Sequence, residues 1–172
     1  IEANKANVLL VLVLVLVQTH LYTGLFITAH DAMHGSVSWN RKINNFVGKL
    51  CATLFVFNGY NVLKPKHYQH HRFVGTNQDP DYHPPYLWLW FFKFAKMYVS
   101  AWQIVAAAIL FNVLKMFFNT ENVVLFWMLP AFLSTFQLFY FGTYLPHKGT
   151  HLKNNVHKAR SQKKNHFVAF IT

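Results

Sequence analysis

The chain has 172 residues, 53% of them hydrophobic and 18% aromatic, yet it carries a formal net charge of +11, with 16 Lys and Arg, 5 Asp and Glu, and 11 His. Its length suits one domain, and its 12% of charged residues is about half the share usual in soluble domains, which excludes disorder, a coiled coil and an ordinary water-soluble enzyme. The cations lie between long apolar runs, so they read as the aqueous face of a membrane protein and leave nucleic acid no role.

Taken along the chain, the first apolar run covers about residues 8–29, enough for the roughly 20 residues of a spanning helix. Its Val/Leu alternation imitates a strand, but its length and unbroken apolarity predict a helix. No small-residue cleavage site marks it as a signal peptide. The next run, 46–57, is short, holds Lys49, and is flanked by Asn44, Asn45, Asn58 and Asn61. It predicts an interfacial or re-entrant helix over about 43–63. Cys51, the single cysteine, excludes an internal disulfide or an all-Cys metal site and reads as a small buried hydrophobe. The aromatic run 86–92 belongs to the headgroup zone, where Trp and Tyr collect.

Further spans are expected at about 97–118, with Lys115 near its end, and at about 123–145, with Pro130 inside, as membrane helices tolerate. The expected fold is all-α and integral to the membrane, with about three transmembrane helices plus interfacial helices in a single domain over 1–172. The chain starts at Ile1 and stops at Thr172 in an apolar stretch, so we expect it to be incomplete at both ends. With this topology Arg41, Lys42, Lys64, Lys66, Arg72, Lys93 and Lys96 share one face with the basic tail 147–166, and Glu121 stays opposite. By the positive-inside rule that face is cytoplasmic (or stromal).

The chemistry lies in the histidines. His30 and His34 stand four apart at the end of the first span, and His67, His70 and His71 stand at i, i+3 and i+4 after the interfacial run. Each set occupies one helical face. His147 follows the third span. Neutral imidazole is the commonest metal ligand, and helices deliver such pairs to metal sites in bundles. His20 reads as an interface residue, and His151, His157 and His166 as solvated tail residues. Glu2 and Glu121 are remote, so a Glu-x-x-His di-iron site is excluded. The ligand set is nearly pure nitrogen and exceeds one tetrahedral zinc, which favours two metals.

Carboxylates are scarce enough for each to count. Asp31 sits in the first cluster, and Asp79 and Asp81 lie in Gly75-Thr76-Asn77-Gln78-Asp79-Pro80-Asp81-Tyr82-His83. We assign Asp31, Asp79 and Asp81 to hydrogen bonds behind metal-bound imidazoles, with a simple turn as a further role for Asp79-Pro80-Asp81. His83 fits either that supporting role or a loop residue.

His30-Asp31-Ala32-Met33-His34-Gly35, His67-Tyr68-Gln69-His70-His71, Asp79-Pro80-Asp81-Tyr82-His83 and Phe141-Gly142-Thr143-Tyr144-Leu145-Pro146-His147 resemble the β-carotene ketolases of the membrane fatty-acid desaturase/hydroxylase superfamily. The resemblance implies an oxidoreductase with a di-iron centre, two Fe per complete chain, using O2 and electrons from reduced ferredoxin or a similar carrier. It implies oxidation of the β-ionone ring carbon of carotenoids through a geminal diol to a ketone. His30, His34, His67, His70 and His71 then correspond to iron ligands, joined by His147, while Asp31, Asp79 and Asp81 correspond to functionally required residues without a settled role, and we count His83 with them as a catalytic candidate. The family's third cluster, of H-x3-H-x2-H-H type, is expected beyond Thr172, so the chain by itself is expected to bind iron incompletely and to be inactive. Membrane lipid, a carotenoid and an electron carrier are the expected partners. The alternatives are a desaturase or alkane hydroxylase of the same superfamily and a haem- or metal-carrying membrane protein.

Overall fold

Apolar runs set where the helices form, and polar caps set where they stop. The structure, a computed structural model, describes residues 7–149, 151, 155 and 158–160. Glu2, Lys153, His157, Lys163, Lys164, His166 and the stretch 167–171 lie outside the described residues. Among the described residues the regular elements are all helical. Helix α1 is Val8–His34, α2 Arg41–Leu54, α3 Tyr60–Phe73, α4 Leu87–Tyr98 and α5 Ala101–Leu114. Helix α6, Thr120–His147, contains two π-helical segments, Val124–Met128 and Phe139–Tyr144.

Helices α1 and α6 are each long and apolar enough to cross a membrane. The stretch read as a span over 97–118 is divided, and it adds a third crossing only if α4 and α5 count as one broken span. The break has a local cause. Val99 and Ser100 are extended, and Ser100 and Gln103 form a reciprocal capping box that starts α5 afresh. Apolarity runs through the break, but the Ser-x-x-Gln signal ends the helix.

The structure forms two compact units, Ile1–Tyr60 with Ser100–Thr135 and Asn61–Val99 with Phe136–Thr172. In the first, α1 buries Val11, Val15, Thr19, Tyr22 and Thr23 along one stripe, while Leu9 and Leu16 stay 73% and 66% exposed. Thr23 donates to the Thr19 carbonyl, and its hydroxyl lies 2.9 Å from that of Ser134 on α6. Small and polar side chains at such contacts let membrane helices approach. Helix α2 packs on α1 at Gly48, where a methyl group would meet the Tyr60 ring and come within 2.8 Å of Ala32 Cβ. Its other edge, Ile43, Phe46, Leu50 and Leu54, is exposed, and Cys51 is buried.

Unit two has an aromatic core of Trp90, Phe91 and Phe139, flanked by Tyr82, Leu87, Phe94, Phe136 and Tyr144. The run 86–92 is therefore split. Tyr86, Trp88 and Phe92 are exposed, whereas Trp90 and Phe91 are buried. Alternate positions around a helix face opposite ways, and a belt reading of the whole run misses that. In α6 the first π-helical segment ends at Met128, two residues before Pro130. A wider turn there accommodates the missing proline N–H and its ring without ending the helix.

Candidate metal centre

The first histidine pair is placed by the end of α1. Gly35 adopts φ 78°, and the Gly35 and Ser36 N–H groups close on the carbonyls of Ala32 and Asp31. This left-handed cap stops the helix one residue after His34. His30 and His34 stack edge to face with centroids 4.9 Å apart. Asp31 reaches His30 Nδ1 at only 3.3 Å, with both side chains exposed. A residue the sequence reading treated as a mere flank holds this end in place. Asn44 is 3% exposed; its Nδ2 donates to the Ala32 carbonyl at 2.7 Å, and its Oδ1 accepts the Val37 and Ser38 N–H groups at 3.2 and 3.3 Å.

The second unit carries the other candidates. His67 and His71, one turn apart on α3, bring their Nε2 atoms to 3.0 Å. His70 is directed elsewhere. Its Nδ1 meets Asp79 Oδ1 at 2.8 Å and Asp81 Oδ2 at 3.6 Å, and its ring lies 5.2 Å from that of His147. His147 donates from Nδ1 to the Lys158 carbonyl at 2.8 Å. With Nδ1 bonded in this way in both His70 and His147, the neutral tautomer that carries its lone pair on Nε2 is favoured.

Asp79 is fully engaged. Oδ1 also accepts the Asp81 N–H at 2.9 Å, and Oδ2 accepts the Gly75 N–H at 2.8 Å. Burial opposes ionisation of Asp79, but the hydrogen bonds from His70, Gly75 and Asp81 outweigh it and hold the carboxyl below its ordinary value. Burial also pulls His70 down, and the hydrogen bond to Asp79 with the charges of Asp81 and Asp79 lifts it above its usual value. Asp81 goes the other way. Burial pushes its carboxyl up to about 6 against the opposing pull of His70, Tyr98 and Lys66. Tyr98 donates to Asp81 Oδ1, and Trp90 Nε1 donates to the Asp81 carbonyl at 2.5 Å.

Asp79-Pro80-Asp81 is thus both a turn and a support for His70. His83 turns its Nε2 to the Pro80 carbonyl at 3.0 Å, a contact within its own loop, and burial lowers its basicity. His20 is exposed on α1. His151 meets the His147 carbonyl through Nε2 at 3.2 Å. Sequence reasoning missed Asn44, Trp90 and Tyr98. None of the three carried a local signal: the Asn that caps the start of α2 is Asn40, and Asn44 lies one turn inside the helix.

The donors suit iron. His67 and His71 direct two nitrogens at one point, and His70 and His147 are anchored from behind. Imidazole sets of this kind bind iron, copper, nickel or zinc rather than hard oxygen-seeking ions.

Comparison with known proteins places the chain. The fatty acid desaturase family profile matches residues 6–100. The chain is 41% identical over 150 residues to beta-carotene 4-ketolase 3 of Haematococcus lacustris, covering 84% of this chain and 47% of that protein. It is 43% identical over 132 residues to zeaxanthin 4-ketolase of Chlamydomonas reinhardtii, covering 74% and 30%. With a beta-carotene ketolase of a Paracoccus species it shares 36% over 157 residues, covering 90% and 65%. The chain therefore spans between about a third and about two thirds of the length of these relatives. No solved structure matches it. The chain belongs to the fatty acid desaturase family and is a relative of its β-carotene ketolases.

Proposed function

We propose that the protein containing this chain is an O2-dependent di-iron oxygenase that introduces a keto group into the β-ionone ring of carotenoids such as β-carotene. The observation that carries the reading is the pair His70 and His147, each bonded at Nδ1 and 5.2 Å apart ring to ring, in a chain similar to named ketolases. Iron, when bound, supplies the activation of O2. His30, His34, His67, His70, His71 and His147 are the residues we assign to hold it. Asp79 orients His70 and raises its basicity, Asp81 adds a second carboxyl behind the same ring, and Asp31 plays a weaker version of that role for His30. His83 steadies the Asp-Pro-Asp turn.

We place residues 1–172 in a single desaturase-like domain, with the histidines and the basic residues on the cytoplasmic or stromal side of the membrane. Exposed Leu9, Leu16 and Leu21 on α1 and the apolar edge of α2 suit contact with lipid. The substrate enters from the lipid phase, and the basic side suits an acidic electron carrier such as ferredoxin.

The test expresses the full reading frame containing this sequence in cells that accumulate β-carotene. The reading predicts ketone-bearing pigments that require O2, and about two iron atoms per chain after purification, a count typical of the carboxylate- or histidine-bound di-iron class. Unchanged pigment with altered fatty-acid unsaturation would overturn it in favour of an acyl desaturase. A haem absorption band would overturn the di-iron assignment.

A further inference from the structure

We propose that Tyr98 is a positioning residue for the histidine centre, holding the Asp81 carboxyl so that it faces the back of the His70 ring. The inference rests on the reading of His70 as a metal ligand. Tyr98 is the last residue of α4, and its hydroxyl donates to Asp81 Oδ1. That bond turns the other oxygen, Oδ2, toward His70 Nδ1 at 3.6 Å. The two carboxylates are thus fixed by different means. Asp79 is held by the backbone N–H groups of Gly75 and Asp81, whereas the Asp81 carboxyl is held by a side chain from another helix.

Helix α4 grips Asp81 twice, since Trp90 also donates to its backbone carbonyl at 2.5 Å. Trp90 is fully buried in the aromatic core, which makes that end of the grip rigid. Tyr98 is placed in turn from α3. Lys66 donates to the Met97 carbonyl at the end of α4 and sits 5.4 Å from the Tyr98 ring centroid. A cation is favoured at a helix C-terminus and over an aromatic face. Lys66 and His70 are one helical turn apart. The contacts therefore close a circuit: α3 fixes the end of α4 through Lys66, and α4 returns Tyr98 to Asp81 and so to His70. Without the hydroxyl, the Asp81 side chain has a rotamer choice that its bond to Tyr98 removes, and His70 loses part of the negative charge behind it.

The experiment uses the full reading frame in detergent, with ferrous iron as the probe and chelator competition as the measure of affinity. Tyr98→Phe keeps the ring over Lys66 and should weaken iron binding about tenfold, the lower end for loss of a partner behind a ligand. It should also shift the Mössbauer signature of one iron. Asp81→Asn should act alike, and the double variant should bind no more weakly than Asp81→Asn alone, because both changes remove one interaction. Independent, multiplying effects would overturn the proposal, as would a Tyr98→Phe protein that melts earlier without iron yet binds iron unchanged. His70→Ala separates the two levels. If it leaves iron affinity intact, the ligand reading and this inference both fail; if it abolishes tight binding while Tyr98→Phe is silent, this inference fails alone.

Discussion

His70 Nδ1 and Asp79 Oδ1 stand 2.8 Å apart, and the carboxylate that receives the imidazole is already bound by two backbone N–H groups of its own turn. Asp79 is 2% exposed, so its removal leaves three donors facing each other without an acceptor charge. Asp79→Asn should cost about 3 kcal/mol, the range for hydrogen bonds to a buried charged group. Asp31→Asn, at an exposed 3.3 Å contact, should cost about 0.5 kcal/mol or less. Thermal unfolding in detergent checks the contrast, and equal effects would refute this ranking of the two carboxylates.

A second prediction concerns the connection that ends the first histidine pair. Asn44 satisfies one carbonyl and two N–H groups between α1 and α2. Asn44→Leu keeps bulk but strands those groups, at a cost of about 2 kcal/mol. Iron affinity should fall along with stability, since Ala32 lies between His30 and His34. A variant with wild-type melting and wild-type iron affinity would show that the Asn44 bonds are dispensable.

Two glycines separate packing from conformational freedom. Gly48→Ala forces a methyl group against Ala32 and Tyr60 and should destabilise by about 1–3 kcal/mol. Gly24→Ala meets nothing within 4 Å inside a long helix and should be neutral or stabilising by up to about 1 kcal/mol. Opposite signs in the melting temperature are the expected result.

The legible parts of the fold were those written in local spacing. The pairs His30/His34 and His67/His71 could be read because four residues make about one turn, and each pair does meet ring to ring. That Asp79 backs an imidazole was read from the scarcity of carboxylates, but which histidine it backs was not, because Asp79 comes to His70 by way of a turn and not by helical spacing. The buried stripe of α1 was hidden as well. In lipid, the outward Leu9 and Leu16 are as apolar as the inward Val11 and Val15, so hydropathy does not separate the faces. Past the π-helical segments of α6, counting at the α-helical period assigns the wrong face, by about 100° for each extra residue. The Ser100–Gln103 box was present as a signal but overshadowed by apolarity on both sides. Tyr98 and Trp90 belong to an aromatic-rich stretch whose composition gives no hint which rings turn inward.

Sidedness yields a fourth prediction. Cys51 is buried, so single cysteines placed elsewhere report with little background. Lys42→Cys and Thr120→Cys, both at exposed positions, should react with a membrane-impermeant maleimide from opposite sides, Thr120→Cys from outside in right-side-out vesicles. Labelling of both from one side would overturn the proposed topology.

The engagement of Asp79 also bears on which ions it can serve. Magnesium and calcium seek carboxylate and carbonyl oxygen, and the chain has five acidic residues in all. Asp79 has both oxygens bound within the fold, and Asp81 holds Tyr98. The Asp79 oxygens are thus occupied inside the fold, while His67 and His71 bring two imidazole nitrogens within 3.0 Å of each other. On the proposed reading, the hydrogen bonds that hold the turn in place also leave Asp79 a poorer donor to magnesium than an open carboxylate.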